Sequence, residues 1–169
     1  MKFLIVVDMQ VDFISGALGS KDAEAIVPAV VEKVKNFDGK IIFTRDTHHE
    51  YYLNTQEGRK IPVPHCIKDT DGWQICSELR PYGDAIVDKL TFGSMALPQI
   101  IRNYGGPIES IELCGLCTDI CVISNAMILK AAFPETKIIV DAKCCAGVSE
   151  KSHNTALDAM RAVQIEIIE

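Results

Sequence analysis

The run Phe3-Leu4-Ile5-Val6-Val7, closed by Asp8, decides the fold of this chain. Its five apolar residues are fewer than a signal-peptide core needs and far fewer than a membrane span. Length and β-branched content suit a buried strand. Apolar, β-branched runs of strand length recur at Lys40–Thr44, Asp84–Val87, Ser110–Leu113, Lys137–Val140 and Gln164–Ile168, so six strands are expected. Between most of them lie segments of helical period, at Pro28–Asn36, Gly72–Leu79, Leu97–Asn103, Thr118–Ala132 and Ser149–Ala162, with Pro28 suited to a first helical position. Strand–helix alternation with short connections requires right-handed crossovers between parallel neighbours. The expected fold is α/β: a three-layer open sheet of about six mostly parallel strands with helices on both faces.

No repeat, low-complexity tract or Gly/Ser linker divides the 169 residues, so one domain over residues 1–169 is expected. With 48% hydrophobic residues a chain of this length can bury a sizeable core. The formal charge of −6 lacks the basic footprint that phosphate-backbone binding needs, which argues against nucleic acid as a partner. Seven cysteines, an odd number, without a secretory leader point to reduced thiols in a soluble, cytoplasmic protein with no membrane association.

Ligands of open parallel sheets gather beyond the carboxyl ends of the strands. Asp8, Asp46, Lys89 and the turn Gly115–Cys121 all fall there. Each has an ordinary reading: Asp8 as a turn residue, Lys89 as a surface lysine, Cys121 as a small buried hydrophobe. Cys121 carries the sharper signal, because Thr118 is a favoured N-cap type and a thiol in a first helical turn feels a dipole that lowers its pKa. A structural zinc site on Cys114, Cys117 and Cys121 is disfavoured, since Cys144-Cys145 is not a spaced knuckle. The long segment Arg45–Asp71 has no clear period, and a loop of that length is functional or disordered. It holds Asp46, His48, His49, Glu57 and His65, of which Asp46, His48, Glu57 and His65 are acceptable zinc or manganese donors, or else solvated loop groups.

Taken together, DMQVDF (8–13), TRDTHHEYYLNTQEGRKIPVPHC (44–66), DKLTFGS (88–94) and GLCTDICV (115–122) resemble the nicotinamidase and isochorismatase-like superfamily of cysteine hydrolases. The resemblance runs nearly the whole chain and implies Asp8, Lys89 and Cys121 as catalytic residues, with Cys121 the nucleophile. It also implies a cis peptide at Leu116-Cys117 and an oxyanion hole built from the amides of Cys117 and Cys121. The metal set it implies is Asp46, His48, Glu57 and His65, holding a divalent ion, zinc first and manganese or iron as alternatives. For the aromatic clamp on a substrate ring, Phe13 matches, and Phe92 and Trp73 are further candidates. The activity implied is ammonia release from a small carboxamide, nicotinamide or a related ring amide, through a thioester, by a homo-oligomeric enzyme. The alternatives are isochorismatase-type vinyl-ether hydrolysis, a metal-independent carbamoyl or ureido amidase, and a non-catalytic redox sensor using Cys117 and Cys121.

Overall fold

In the computed structural model, which describes residues 1–169, six strands form one parallel sheet in the order β3-β2-β1-β4-β5-β6. They are β1 (Lys2–Val7), β2 (Lys40–Asp46), β3 (Ala85–Lys89), β4 (Ser110–Leu116), β5 (Lys137–Ala146) and β6 (Glu166–Ile168). Phe3 through Val7 are buried because β1 is central, paired to β2 on one side and β4 on the other, so an all-apolar run is what its environment demands. The chain builds outward through β2 and β3, then returns to the far side of β1 for β4, β5 and β6. That reversal puts the switch point between β1 and β4, where the strand ends splay and leave a crevice.

Six helices flank the sheet: α1 (Val11–Ile14), α2 (Lys21–Asn36), α3 (Gln56–Lys60), α4 (Leu97–Asn103), α5 (Ile123–Ala132) and α6 (Glu150–Ala162). A contiguous cluster of buried apolar side chains joins the strands to α2, α4, α5 and α6. No helix is long and apolar enough to cross a membrane.

Several expected elements differ. The helix expected at Pro28–Asn36 begins at Lys21, where the hydroxyl of Ser20 accepts from the amide of Ala23, so Pro28 lies inside α2. An N-cap that satisfies a free amide sets the start more strongly than proline's preference for the first position. Residues Gly72–Leu79 are not a helix. Their apolar members Trp73, Ile75, Cys76 and Leu79 are buried from a series of turns, and the carbonyls of Trp73 and Ile75 accept from the side chains of Gln10 and Arg80. Side-chain donors thus replace the helical ladder. The segment Arg45–Asp71 is not structureless: Arg45 and Asp46 extend β2, and α3 opens on Thr55, whose hydroxyl accepts from the amide of Gly58. α3 is too short to show a period.

At the end of β4, Gly115 has φ +117°, and a Cβ there would lie 2.1 Å from the carbonyl oxygen of Val7. Glycine is required at this close approach, which accompanies a register shift between β4 and β5. The Leu116-Cys117 peptide that follows is cis. The helix expected from Thr118 starts as a π-helical turn, Thr118–Val122, before α5, and its N-cap is Cys117 rather than Thr118. The hydroxyl of Thr118 instead lies 2.7 Å from Nδ1 of His153 on α6.

Candidate active site

Four segments separated by tens of residues converge at the carboxyl ends of β1 to β4. Asp8 follows β1 with φ +46°, a left-handed conformation that Asp tolerates better than most residues. It is fully buried. Its Oδ1 accepts from the Thr44 hydroxyl at 2.6 Å, and its Oδ2 lies 2.6 Å from Nζ of Lys89. The Lys89 ammonium donates to Thr91 O at 3.0 Å, Asp46 Oδ1 at 3.3 Å and Cys121 Sγ at 3.5 Å. The contact with Asp8 Oδ2 is the shortest of the four, and no other donor reaches that oxygen in hydrogen-bond geometry, so it keeps a lone pair free.

The charges follow from this packing. Burial opposes a charge on Lys89, but Asp8, Cys121 and Asp46 outweigh it and hold the ammonium firmly protonated. Burial raises the Asp8 carboxyl above the usual carboxylate range, with Lys89 offsetting part of the shift, so Asp8 is a stronger base than a solvated carboxylate. Burial, then the neighbouring Asp8, pushes the Cys121 thiol well above its ordinary range despite Lys89. The expectation of a dipole-lowered thiolate is thus corrected: desolvation at 4% exposure outweighs the helix terminus. Cys121 rests as a thiol, and the arrangement can pass its proton to Asp8.

The second cluster lies beside the first. The donor atoms of Asp46, His48, Glu57 and His65 all fall within 4.8 Å of one another. His48 Nε2 is 2.9 Å from Asp46 Oδ2 and 3.5 Å from Glu57 Oε1, and His65 Nε2 is 3.6 and 3.8 Å from the same two oxygens. Tetrahedral zinc with bonds near 2.0 Å spaces its ligands about 3.3 Å apart, close to this spread. Nδ1 of His65 is 2.7 Å from Val63 O, a pure acceptor, so Nδ1 carries the proton and Nε2 presents its lone pair to the cluster. Nε2 of His48 is buried with no partner in hydrogen-bond geometry. Burial opposes a charge on His48, yet the adjacent carboxylates of Asp46 and Glu57 push its pKa up to about 9. Burial likewise works to raise Asp46, but the imidazoles of His48 and His65 and the charge of Lys89 hold it well below the usual range. A pocket of this donor set and polarity fits a divalent cation.

Between the clusters is a cavity of about 50 Å³. Phe13, Leu18, Ile61, Phe92 and Ile120 wall it, Cys121 and Cys117 lie on its border, and Asp46, Glu57 and His65 reach it from the metal side. Trp73, a candidate ring clamp, is not there. It is buried elsewhere, its indole donating to the Thr47 hydroxyl at 2.8 Å and its ring lying 3.4 Å under the Arg45 guanidinium. His49 stacks on Tyr51 outside the cluster. Cys114, Cys144 and Cys145 are buried and form no metal-type group with the other cysteines.

Three supporting residues escaped the reading of the sequence. Gln10, fully buried, accepts from Asp46 N at 2.7 Å and donates to Asp46 O and Trp73 O at 2.8 Å each, clamping the backbone of a cluster residue. Asp12 accepts from Cys66 N at 2.7 Å and so ties down the residue after His65. Asn125, in the helix behind Cys121, donates to Cys121 O at 2.8 Å. Gln10 and Asp12 lie in the same short string as Asp8, which was the available signal. Asn125 left none.

A three-layer parallel sheet with an acid, a lysine and a cysteine gathered at its switch point can carry nucleophilic hydrolysis. The isochorismatase domain model matches residues 2–169, and the chain belongs to that family. Within it, the chain is a nicotinamidase/pyrazinamidase-like amidohydrolase, an enzyme acting on carbon–nitrogen bonds. It is 26% identical to a nicotinamidase of Schizosaccharomyces pombe, covering 98% of this chain and 91% of that one. It is 25% identical to a nicotinamidase/pyrazinamidase of Mycobacterium tuberculosis, covering 99% and 98%. Among solved structures, the pyrazinamidase of Pyrococcus horikoshii in complex with zinc superposes with a TM-score of 0.86 at 27% identity, over 99% of this chain and 98% of that one.

Proposed function

We propose that this enzyme hydrolyses the carboxamide of a small aromatic ring, nicotinamide or a related pyridine or pyrazine amide, through a Cys121 thioester. The observation that carries the reading is the apolar cavity with a nucleophile at one end and a cation-binding cluster at the other. Its walls suit a flat, uncharged ring, with Phe13 and Phe92 as the aromatic contacts.

The chain's own residues perform the chemistry in two transfers. In the first, Asp8 Oδ2 takes the Cys121 proton as Sγ attacks the carboxamide carbon, and the amides of Cys117 and Cys121 receive the developing oxyanion. Asp8 then gives that proton to the departing nitrogen, and ammonia leaves a thioester on Cys121. In the second, Asp8 takes a proton from water as its oxygen attacks the thioester carbon, and returns it to Sγ as the acid is released. Lys89 stays protonated throughout, holding Asp8 in place and lowering the cost of negative charge on Sγ. Asp46, His48, Glu57 and His65 would hold a divalent metal, zinc or else manganese or iron, and the metal supplies a Lewis-acid position for a donor atom of the substrate.

The test is an ammonia-release panel of nicotinamide, pyrazinamide, and carbamoyl and ureido compounds on metal-replete protein. Turnover of the ring amides ahead of the others supports the proposal. Preference for a ureido substrate, unchanged when the same panel is repeated after chelation, would replace it with a metal-independent amidase.

A further inference from the structure

Asn125 is fully buried and no step above uses it. Its amide spends both ends on backbone that belongs to two different parts of the site. Nδ2 donates to Cys121 O at 2.8 Å and to Phe92 O at 3.2 Å, while Oδ1 accepts from Ser94 N at 2.9 Å. One side chain therefore joins the nucleophile's turn to the segment Thr91–Ser94 that follows Lys89. A hydrophobic residue of the same size would bury three backbone groups without these partners, a cost a protein rarely accepts without a gain.

Beyond Asn125, the tethered segment is held by Lys89 Nζ on Thr91 O at 3.0 Å and by the burial of Ser94. Leu90, Thr91 and Met95 are exposed, and Phe92 itself is 38% exposed. Yet the Phe92 ring lines two spaces: the inner cavity that holds Cys121, and an outer cleft of about 400 Å³ bordered by His48, Glu57, Lys60 and Ile61. With Glu57 and Ile61, which also border both, Phe92 separates the reaction site from the outer cleft. Gly93 brings this loop against α5: a Cβ there would sit 2.6 Å from the terminal methyl of Ile128 and 3.3 Å from Cβ of Ser124. The loop is docked by two neighbouring features, a hydrogen-bonded amide and a missing side chain.

We infer that Asn125 is a positioning residue that sets substrate affinity by fixing Phe92 as an aromatic wall of the cavity. The inference rests on the ring-amide reading above and names a specificity device within it. When the loop loosens Lys89 loses its Thr91 O contact but keeps Asp8, Asp46 and Cys121, so the bond-making steps are spared relative to binding. The effect of Asn125 passes through Phe92, which makes the two residues energetically coupled.

The experiment is a double-mutant cycle on metal-replete protein, with KM and kcat for nicotinamide measured for wild type, Asn125→Ala, Phe92→Ala and the double variant. Asn125→Ala should raise KM roughly tenfold, the value of one well-made pocket contact, with a much smaller change in kcat. Added to Phe92→Ala, it should raise KM by under about twofold, because the wall it positions is already gone. Gly93→Val, whose branched side chain does not fit between Ile128 and Ser124, displaces the same loop with Asn125 unchanged and should raise KM in the same direction. It carries the test if Asn125→Ala does not fold. Multiplying KM effects, or a fall in kcat at unchanged KM, would overturn the inference while leaving the activity in place. Wild-type protein that releases no ammonia from any carboxamide would overturn the proposed function, and this inference with it.

Discussion

Asp8→Asn tests the proton transfer on which the mechanism depends. The substitution keeps the shape of the side chain, and an amide oxygen can still accept from Thr44, as Oδ1 does at 2.6 Å. It replaces the base with a donor facing the Lys89 ammonium, which lies 2.6 Å from Oδ2. Two effects then compete at Cys121. Loss of a neighbouring negative charge favours a thiolate beside Lys89, but Asp46 stays 3.3 Å from that ammonium and absorbs much of its field. Even an ordinary thiol is only a few per cent ionised at neutral pH, and burial holds this one well above the ordinary range. Removing a general base costs about 10²–10⁴-fold, and because both transfers need Asp8, a loss of roughly 10³–10⁴ in steady-state turnover is expected. Breaking one arm of the buried ion pair should also cost about 3 kcal/mol of stability, so a thermal melt must accompany the kinetics. The assay is ammonia release together with intact-mass detection of the acyl adduct. If Lys89 alone generated enough thiolate, the adduct would form and persist. Folded Asp8→Asn protein turning over within about tenfold of wild type would refute the argument, since that falls below the range for a lost base.

Cys121→Ala should abolish turnover with the fold intact, whereas Cys117→Ala should cost far less because only its backbone amide is used, and equal losses in ammonia release would contradict the assignment. The acid limb of kcat/KM should lie above the usual carboxylate range: Asp8 works only when deprotonated, burial raises its pKa against the offset from Lys89, and activity falls as pH drops through that raised value. A limb at the ordinary carboxylate position of 3.8 would count against Asp8 as the base. Chelation should remove activity on ring amides while iodoacetamide still labels Cys121. His48→Ala and His65→Ala should reproduce the chelated state, and His49→Ala, stacked on Tyr51 away from the cluster, should leave the rate within about twofold, as surface changes do.

The sheet was legible because its strands are local: Phe3–Val7 and the runs that follow are apolar over strand length and separated by crossovers, which leaves few topologies. The residues gathered at the strand ends were legible too, since Asp8, Lys89 and Cys121 each follow a readable strand and Asp46, His48, Glu57 and His65 stand out in one segment. What local pattern could not carry was satisfied by partners distant in the chain. Residues Gly72–Leu79 have an apolar spacing that suits a helix, but the carbonyls of Gly72, Trp73 and Gln74 are taken by the Asp12 amide, the Gln10 side chain and the Val11 amide, which no window of sequence around them contains. Trp73 looked available to a ligand until Thr47 and Arg45 enclosed it. The protonation of Cys121 reversed for a related reason: a helix terminus can be read from neighbours, whereas desolvation depends on every segment packed around the sulfur. Asn125 lies within a helical pattern with nothing to distinguish it, and its role exists only because the fold brings the backbone of Phe92 and Ser94 to its amide, more than thirty residues away along the chain.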